Sequence, residues 1–237
     1  MIRLDEDHHV HTTFSDGRGT VSEMAEQARH VGLRQIGLAD HVRRDSDWLD
    51  AYVAEVESVR PRFPELEIRV GVEAKILDHD GTLDLPELPD GVQQVVIADH
   101  QVPGPDGPLR PDAVRAAVEA GSTDAEAVVH ALVASTARAI HRCPRDPIVG
   151  HLFSVLPKLG IPHDHIDPRW ADPIFDACRA RGARLEVDER WRSPGPAVVE
   201  RALRAGVHVV ASTDSHKVAS VGRYRYVRQL VGATPCG

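Results

Sequence analysis

Short apolar runs alternate with stretches of helical period along the whole chain. The runs predict strands near 2–8, 34–39, 67–73, 93–99, 147–152, 184–188 and 207–213. Between them the periodicity predicts helices near 20–31, 48–61, 111–141, 168–181, 195–205 and 218–231. Thr20 before VSEMAEQARHVG, with Glu23 three residues on and Gly32 beyond, supplies a start and a stop for the first helix; Asp167-Pro168 and Gly182 bracket the one at 168–181. Strands alternating with helices make parallel βαβ units. Seven such units in 237 residues predict a closed or nearly closed α/β barrel rather than an open sheet. No stretch reads as a linker, so residues 1–237 are expected to form a single domain; the densest Pro/Gly segment, QVPGPDGPLRPD at 101–112, reads as a rim loop after His100.

Nearly every strand-like run ends in a residue able to bind a metal. The first is followed by His9, His11 and Asp16 in DHHVHTTFSDG; later ones end at Asp40-His41, Glu73, Asp99-His100, His151, and Asp214 with His216. In a parallel barrel these ends lie on one rim. Imidazoles and carboxylates gathered there are costly to bury unless they share cations. The pattern therefore points to a multinuclear metal-dependent hydrolase. In the ADH triplets at 39–41 and 98–100, Asp40 and Asp99 are placed to orient a neighbouring imidazole.

Composition narrows the partners. A formal net charge of -8 and 4% aromatic content argue against a broad basic or base-stacking surface, so long nucleic acids are not expected. Cys143, Cys178 and Cys236 are odd in number and lack CxxC spacing, which suits a reducing cytoplasm and neither a disulfide framework nor a thiolate zinc site. MIRLDEDHHVH is charged and runs straight into the first candidate strand, so no signal peptide is expected, and no apolar run is long enough to span a bilayer. Among the remaining histidines, His163 and His165, in the polar loop HDHIDPRW, are the ones placed to approach the rim.

The DxHxHTxxSDG start, LADH, GVE, the His after the fourth strand, GH after the fifth and STDSH near the end together resemble the PHP (polymerase and histidinol phosphatase) family, from Asp7 to about Gly222. The resemblance implies a distorted seven-stranded TIM-like (β/α)7 barrel holding two to three divalent ions. Its nine ligands would be His9, His11, Asp16, His41, Glu73, His100, His151, Asp214 and His216. It further implies that His9, His11, Glu73 and Asp214 hold one ion, Glu73, His100 and His151 a second, and Asp16, His41 and His216 a third. Glu73 would bridge, since a carboxylate can serve two ions. Paired ions roughly 3.5–4 Å apart lower the pKa of a shared water toward neutrality, which makes a hydroxide the expected nucleophile. Glu73, Asp214 and His216 would stand closest to that chemistry. A ligand set without thiolate suits zinc, manganese or iron.

Both the polycationic centre and the resemblance imply phosphoester hydrolysis, with a small soluble phosphate monoester such as histidinol phosphate or a nucleotide as substrate. A diester, cyclic phosphate or short oligonucleotide is the alternative, and a non-catalytic metal-binding barrel a further one. EVDERWRSPG after the sixth strand offers Arg190 and Arg192 to a phosphate, with Arg192 preferred and neither expected to touch a metal. Lys217 and Arg43, then Arg44 and Arg223, are further phosphate-binding candidates. That strand end resembles the family's E-x-N, with Asp188 where Asn is common.

Overall fold

A computed structural model describes residues 2–162 and 166–233. Its strands are β1 (Glu6–Val10), β2 (Gln35–His41), β3 (Glu67–Lys75), β4 (Gln94–Ala98), β5 (Asp146–Val149), β6 (Arg184–Asp188) and β7 (His208–Ser212). Its helices are α1 (Val21–His30), α2 (Leu49–Val59), α3 (Pro111–Glu119), α4 (Ala125–Arg142), α5 (Asp172–Arg181), α6 (Pro196–Arg204) and α7 (Tyr226–Ala233). The strands run parallel in chain order from β1 to β7 as one seven-stranded sheet. Their apolar residues are buried on both faces, which is how a parallel sheet covered by helices reads in sequence. The sheet curls into a nearly closed TIM-like barrel.

Closure is partial. Between β1 and β7 the backbone pairing is confined to the carboxyl ends, where the His11 N–H donates to the Ser215 carbonyl at 2.9 Å and the Ser215 N–H to that of His9 at 3.4 Å. Lower on the seam, the Asp7 carboxylate accepts from Thr213 N at 2.9 Å, Thr213 Oγ1 at 2.6 Å and Gly222 N at 3.0 Å. Burial pushes the Asp7 carboxyl up to about 6 despite those hydrogen bonds.

The interior of the barrel is small. Ala39, Val96, Ile148 and Val210, at alternate positions on four strands, pack apart from the main core between sheet and helices. Beneath them Gln94 is admitted because β3 carries Gly71: a Cβ there would lie 2.6 Å from Gln94 Cγ and 2.7 Å from the Leu38 carbonyl oxygen.

Three elements differ from the sequence expectation. β1 begins at Glu6, where pairing with Gln35 starts, so Ile2 and Leu4 join the core outside the strand. The helix expected at 111–141 is two, because Gly121 turns left-handed at φ 68° and Asp124 caps a new start through Ala127 N at 3.0 Å. The last helix starts only at Tyr226, after a single turn at Val218–Ser220 and a left-handed Gly222. α1 carries the expected Thr20/Glu23 capping box. His163, His165 and Cys236 lie outside the described residues.

Candidate metal centre

The nine proposed ligands sit on six strand ends at the carboxyl rim. A register shift between Asp7 and Val10 kinks β1, and His9 and His11 both end fully buried facing the rim. Asp16 stands in the following loop, whose tight turn needs Gly17: a Cβ there would meet the His11 carbonyl oxygen at 2.4 Å. His41 ends β2 beside Glu73 of β3, its register partner. His100 and His151 follow β4 and β5, and Asp214 and His216 follow β7. His151 and Asp214 adopt positive φ, 23° and 47°, backbone that non-glycine residues enter only under constraint.

Glu73 is the hub. Its Oε1 lies 2.9 Å from His151 Nε2 and 3.0 Å from His100 Nε2; its Oε2 lies 3.5 Å from both His9 Nε2 and His11 Nε2, and 2.6 Å from His41 Nδ1. His9 Nε2 and His11 Nε2 face each other at 3.0 Å, and His11 Nε2 is 3.1 Å from Asp214 Oδ1. Nearer solvent, Asp16 Oδ1 is 3.2 Å from His216 Nε2, 3.6 Å from His41 Nε2 and 3.8 Å from His11 Nδ1. Donor atoms close enough to share an ion occur in His9, His11 and Glu73, in His11, Asp16, His41 and His216, and in His41, Glu73 and His100. The floor of His9, His11, Glu73, His151 and Asp214 is buried, whereas Asp16 keeps 57% of its side chain exposed.

Charge is mutually stabilised in this cluster. Burial would push the Glu73 carboxyl up, yet His100 and His9 hold it well below the usual range. Burial likewise opposes a proton on His9, His41 and His151. Glu186 and Glu73 nevertheless raise His9 well above the ordinary imidazole value; Glu73 raises His41; Asp99 and Glu73 raise His151 well above. On His11 burial prevails and lowers it.

The orienting carboxylates are not where adjacency in sequence suggested. Asp40 does not touch His41. It accepts from Thr12 N at 2.8 Å, Thr12 Oγ1 at 2.7 Å and Ser15 Oγ at 2.6 Å, and so fixes the loop that presents Asp16. Asp99 serves His151 rather than His100, with Oδ1 3.1 Å from its Nδ1 and 2.7 Å from the donating Ser154 Oγ. Glu186 is the residue that sequence reasoning missed. Fully buried on β6, its carboxylate lies 3.2 and 3.3 Å from His9 Nδ1 and accepts from the His151 N–H at 2.5 Å. The signal was its alternation with Asp188, which puts both on the inner face. Asp188 accepts from Trp191 N at 2.6 Å; burial, with the nearby charges of Glu186 and Asp214, raises it well above the usual carboxyl value.

The basic candidates are distributed unevenly. Arg190 Nη1 lies 3.2 Å from Asp214 Oδ2 and 2.7 Å from His216 Nδ1, so it contacts two proposed ligands. Arg192 is exposed with φ 52° and lines neither cavity beside the centre. Lys217 and Arg223 line the cavity beyond β7, and Arg43 the one beside His41 and His100. Arg44 donates its backbone N–H to Asp84 at 3.0 Å.

The residues fit divalent cations. His11 Nδ1 and Glu73 Oε2 are buried with no hydrogen-bond partner, the latter despite the close approach of His41. Such atoms are costly unless a cation engages them. Imidazole and carboxylate donors without thiolate suit zinc, manganese or iron.

Residues 7–140 match the PHP domain. A probable phosphatase of Caldanaerobacter subterraneus subsp. tengcongensis is 27% identical over 233 residues, spanning 94% of this chain and 80% of that protein. Another, from Caldicellulosiruptor saccharolyticus, is 24% identical over 235 residues, spanning 96% of this chain and 87% of the other. In fold the chain is similar to the histidinol phosphate phosphatase of Lactococcus lactis subsp. lactis crystallised with zinc, L-histidinol and phosphate, with a TM-score of 0.66 at 16% identity over 96% of this chain and 92% of that one. No helix among the described residues is long and apolar enough to cross a membrane.

Proposed function

Since the chain belongs to the PHP domain family, we propose that it is a metal-dependent phosphatase acting on a small soluble phosphate monoester. The observation that carries this reading is Glu73, one buried carboxylate within 3.5 Å of five imidazoles on both its oxygens. The full-length relatives named as phosphatases support it.

His9, His11, Glu73 and Asp214 would hold one cation, Glu73, His100 and His151 a second, and Asp16, His41 and His216 a third. Bound there, two or three divalent ions would supply Lewis acidity to phosphoryl oxygens and bring the pKa of a water toward neutrality. The chain's own residues provide the positioning. Glu186 and Asp99 aim His9 and His151 through their Nδ1 atoms. Trp191 Nε1 donates to Asp214 Oδ2 at 2.8 Å and fixes that carboxylate. Arg190, at the lip beside Asp214 and His216, presents a planar fork suited to phosphate oxygens.

The test compares protein loaded with zinc, manganese or iron against chelated protein, on p-nitrophenyl phosphate and its bis(p-nitrophenyl) diester, with bound metal counted by mass spectrometry. Metal-dependent monoester turnover with two or three ions per chain is expected. Comparable diester turnover would replace the monoesterase with a diesterase, and turnover of neither would refute the phosphatase.

A further inference from the structure

Two cavities adjoin the centre, and both are cationic. The one beyond β7, about 450 Å³, runs from Asp214 and His216 to Arg190, Lys217 and Arg223. That is the size of a site for a small metabolite, about 300–1,000 Å³. The other, about 300 Å³, passes His41 and His100 to reach Arg43 and Lys75.

Their charges are not equally compensated. Lys75 shares its charge with Asp84 at 3.3 Å. Beyond β7, Arg190 is engaged with Asp214, but among the described residues Lys217 and Arg223 have no carboxylate in ion-pair range. The one other carboxylate lining that cavity, Glu189, is turned to the start of α7, where it accepts from Tyr226 N at 2.9 Å and Val227 N at 3.1 Å. Those amides and the helix dipole offset its charge. A leaving group in this space therefore meets two uncompensated cations and no free anion. An ammonium or imidazolium would be repelled there, while a carboxylate or phosphate would be held.

We infer that the substrate carries a second anionic group besides the scissile phosphate, and that Lys217 and Arg223 receive it in the cavity beyond β7. The inference rests on the phosphatase reading and deepens it: the preferred esters are bisphosphates or phosphorylated carboxylates, and phosphate esters of amino alcohols are poor substrates. Lys217 and Arg223 are exposed, so water and salt screen them and the preference is moderate.

A matched three-carbon series tests this on the metal-loaded enzyme: propyl phosphate, 3-aminopropyl phosphate, 3-phosphonooxypropanoate and propane-1,3-diyl bisphosphate. Binding of the non-hydrolysable propylphosphonate and propane-1,3-diyl bisphosphonate is followed alongside by calorimetry. At least one dianionic-plus-anionic ester should exceed propyl phosphate in kcat/KM by about tenfold, chiefly through KM, with the amine ester below both. The arms of the series separate carboxylate from phosphate. The bisphosphonate should bind about tenfold more tightly than the monophosphonate, a margin that shrinks with added salt. Combining Lys217→Ala with Arg223→Ala should bring both ratios close to one. Propyl phosphate turnover with no advantage for either added anion would overturn the inference and leave the phosphatase standing. Failure to hydrolyse any ester, with the bisphosphonate margin present and lost in the double variant, would support the anion site and overturn the phosphatase.

Discussion

Glu186→Gln isolates one carboxylate's hold on one imidazole. The substitution keeps volume and an acceptor oxygen, so the hydrogen bond from the His151 N–H at 2.5 Å can persist. What changes is the partner of His9 Nδ1, now 3.2 and 3.3 Å from the two carboxylate oxygens. An ionised carboxylate only accepts, which keeps the proton on Nδ1 and the lone pair of Nε2 toward the centre; an amide can donate and favour the opposite tautomer. A proton on Nε2 would then point at His11 Nε2, 3.0 Å away. Loss of a carboxylate behind a metal-binding imidazole typically lowers metal affinity about 10- to 100-fold. Glu186 is fully buried, so the upper half of that range is expected, about 2–2.7 kcal/mol. Competition against a chromophoric chelator measures the affinity, and circular dichroism of the metal-free variant checks the fold. Parent-like metal affinity in a folded Glu186→Gln protein would refute the reasoning.

Glu73→Gln should preserve the secondary structure and lose most phosphatase activity, because a neutral amide bridges cations poorly; near-parental turnover would mean the centre is wrongly assigned. Arg190→Ala should lower kcat/KM by roughly 10- to 150-fold, the worth of a lost charge-assisted contact, while Arg192→Ala leaves it within about twofold. The reverse order in steady-state kinetics would restore Arg192 as the phosphate contact. His9, His41 and His151 hold protons more tightly than free imidazole, and a cation must displace those protons. Metal affinity should therefore rise with pH through and above about 6.5, with protons released on binding; a flat calorimetric profile between about pH 6 and 8 would count against it.

The barrel was legible because parallel strands covered by helices must be apolar on both faces, and the runs at 67–73, 93–99 and 184–188 carry that mark within two residues of their observed ends. The candidate ligands were legible because each follows such a run. Less could be read where the determinant lies across the fold. Asp40 and Asp99 sit beside histidines in sequence, yet the partners they hold are Thr12 with Ser15, and His151 with Ser154, brought in by neighbouring strands. Glu186 acts on His9, 177 residues away, a relation that alternation on β6 permits but cannot name. The contact of Arg190 with Asp214 and His216 depends on how the β6 and β7 loops fold toward each other, which no local pattern encodes.

The seam between β1 and β7 gives the proposed cations a mechanical task. Backbone-to-backbone hydrogen bonds join these strands only beside His9, His11 and Asp214, so ions gripping both segments would rivet the ring where its backbone lacing is thinnest. Loading and closure would then be one event. Stripping the ions would not leave an empty socket in an unchanged wall; it would free two staves to part, with Asp7 and Thr213 as the remaining tether. The amides of His11 and Ser215 should then exchange with solvent faster in chelated protein, while those of β3 and β4, laced on both sides, keep their protection.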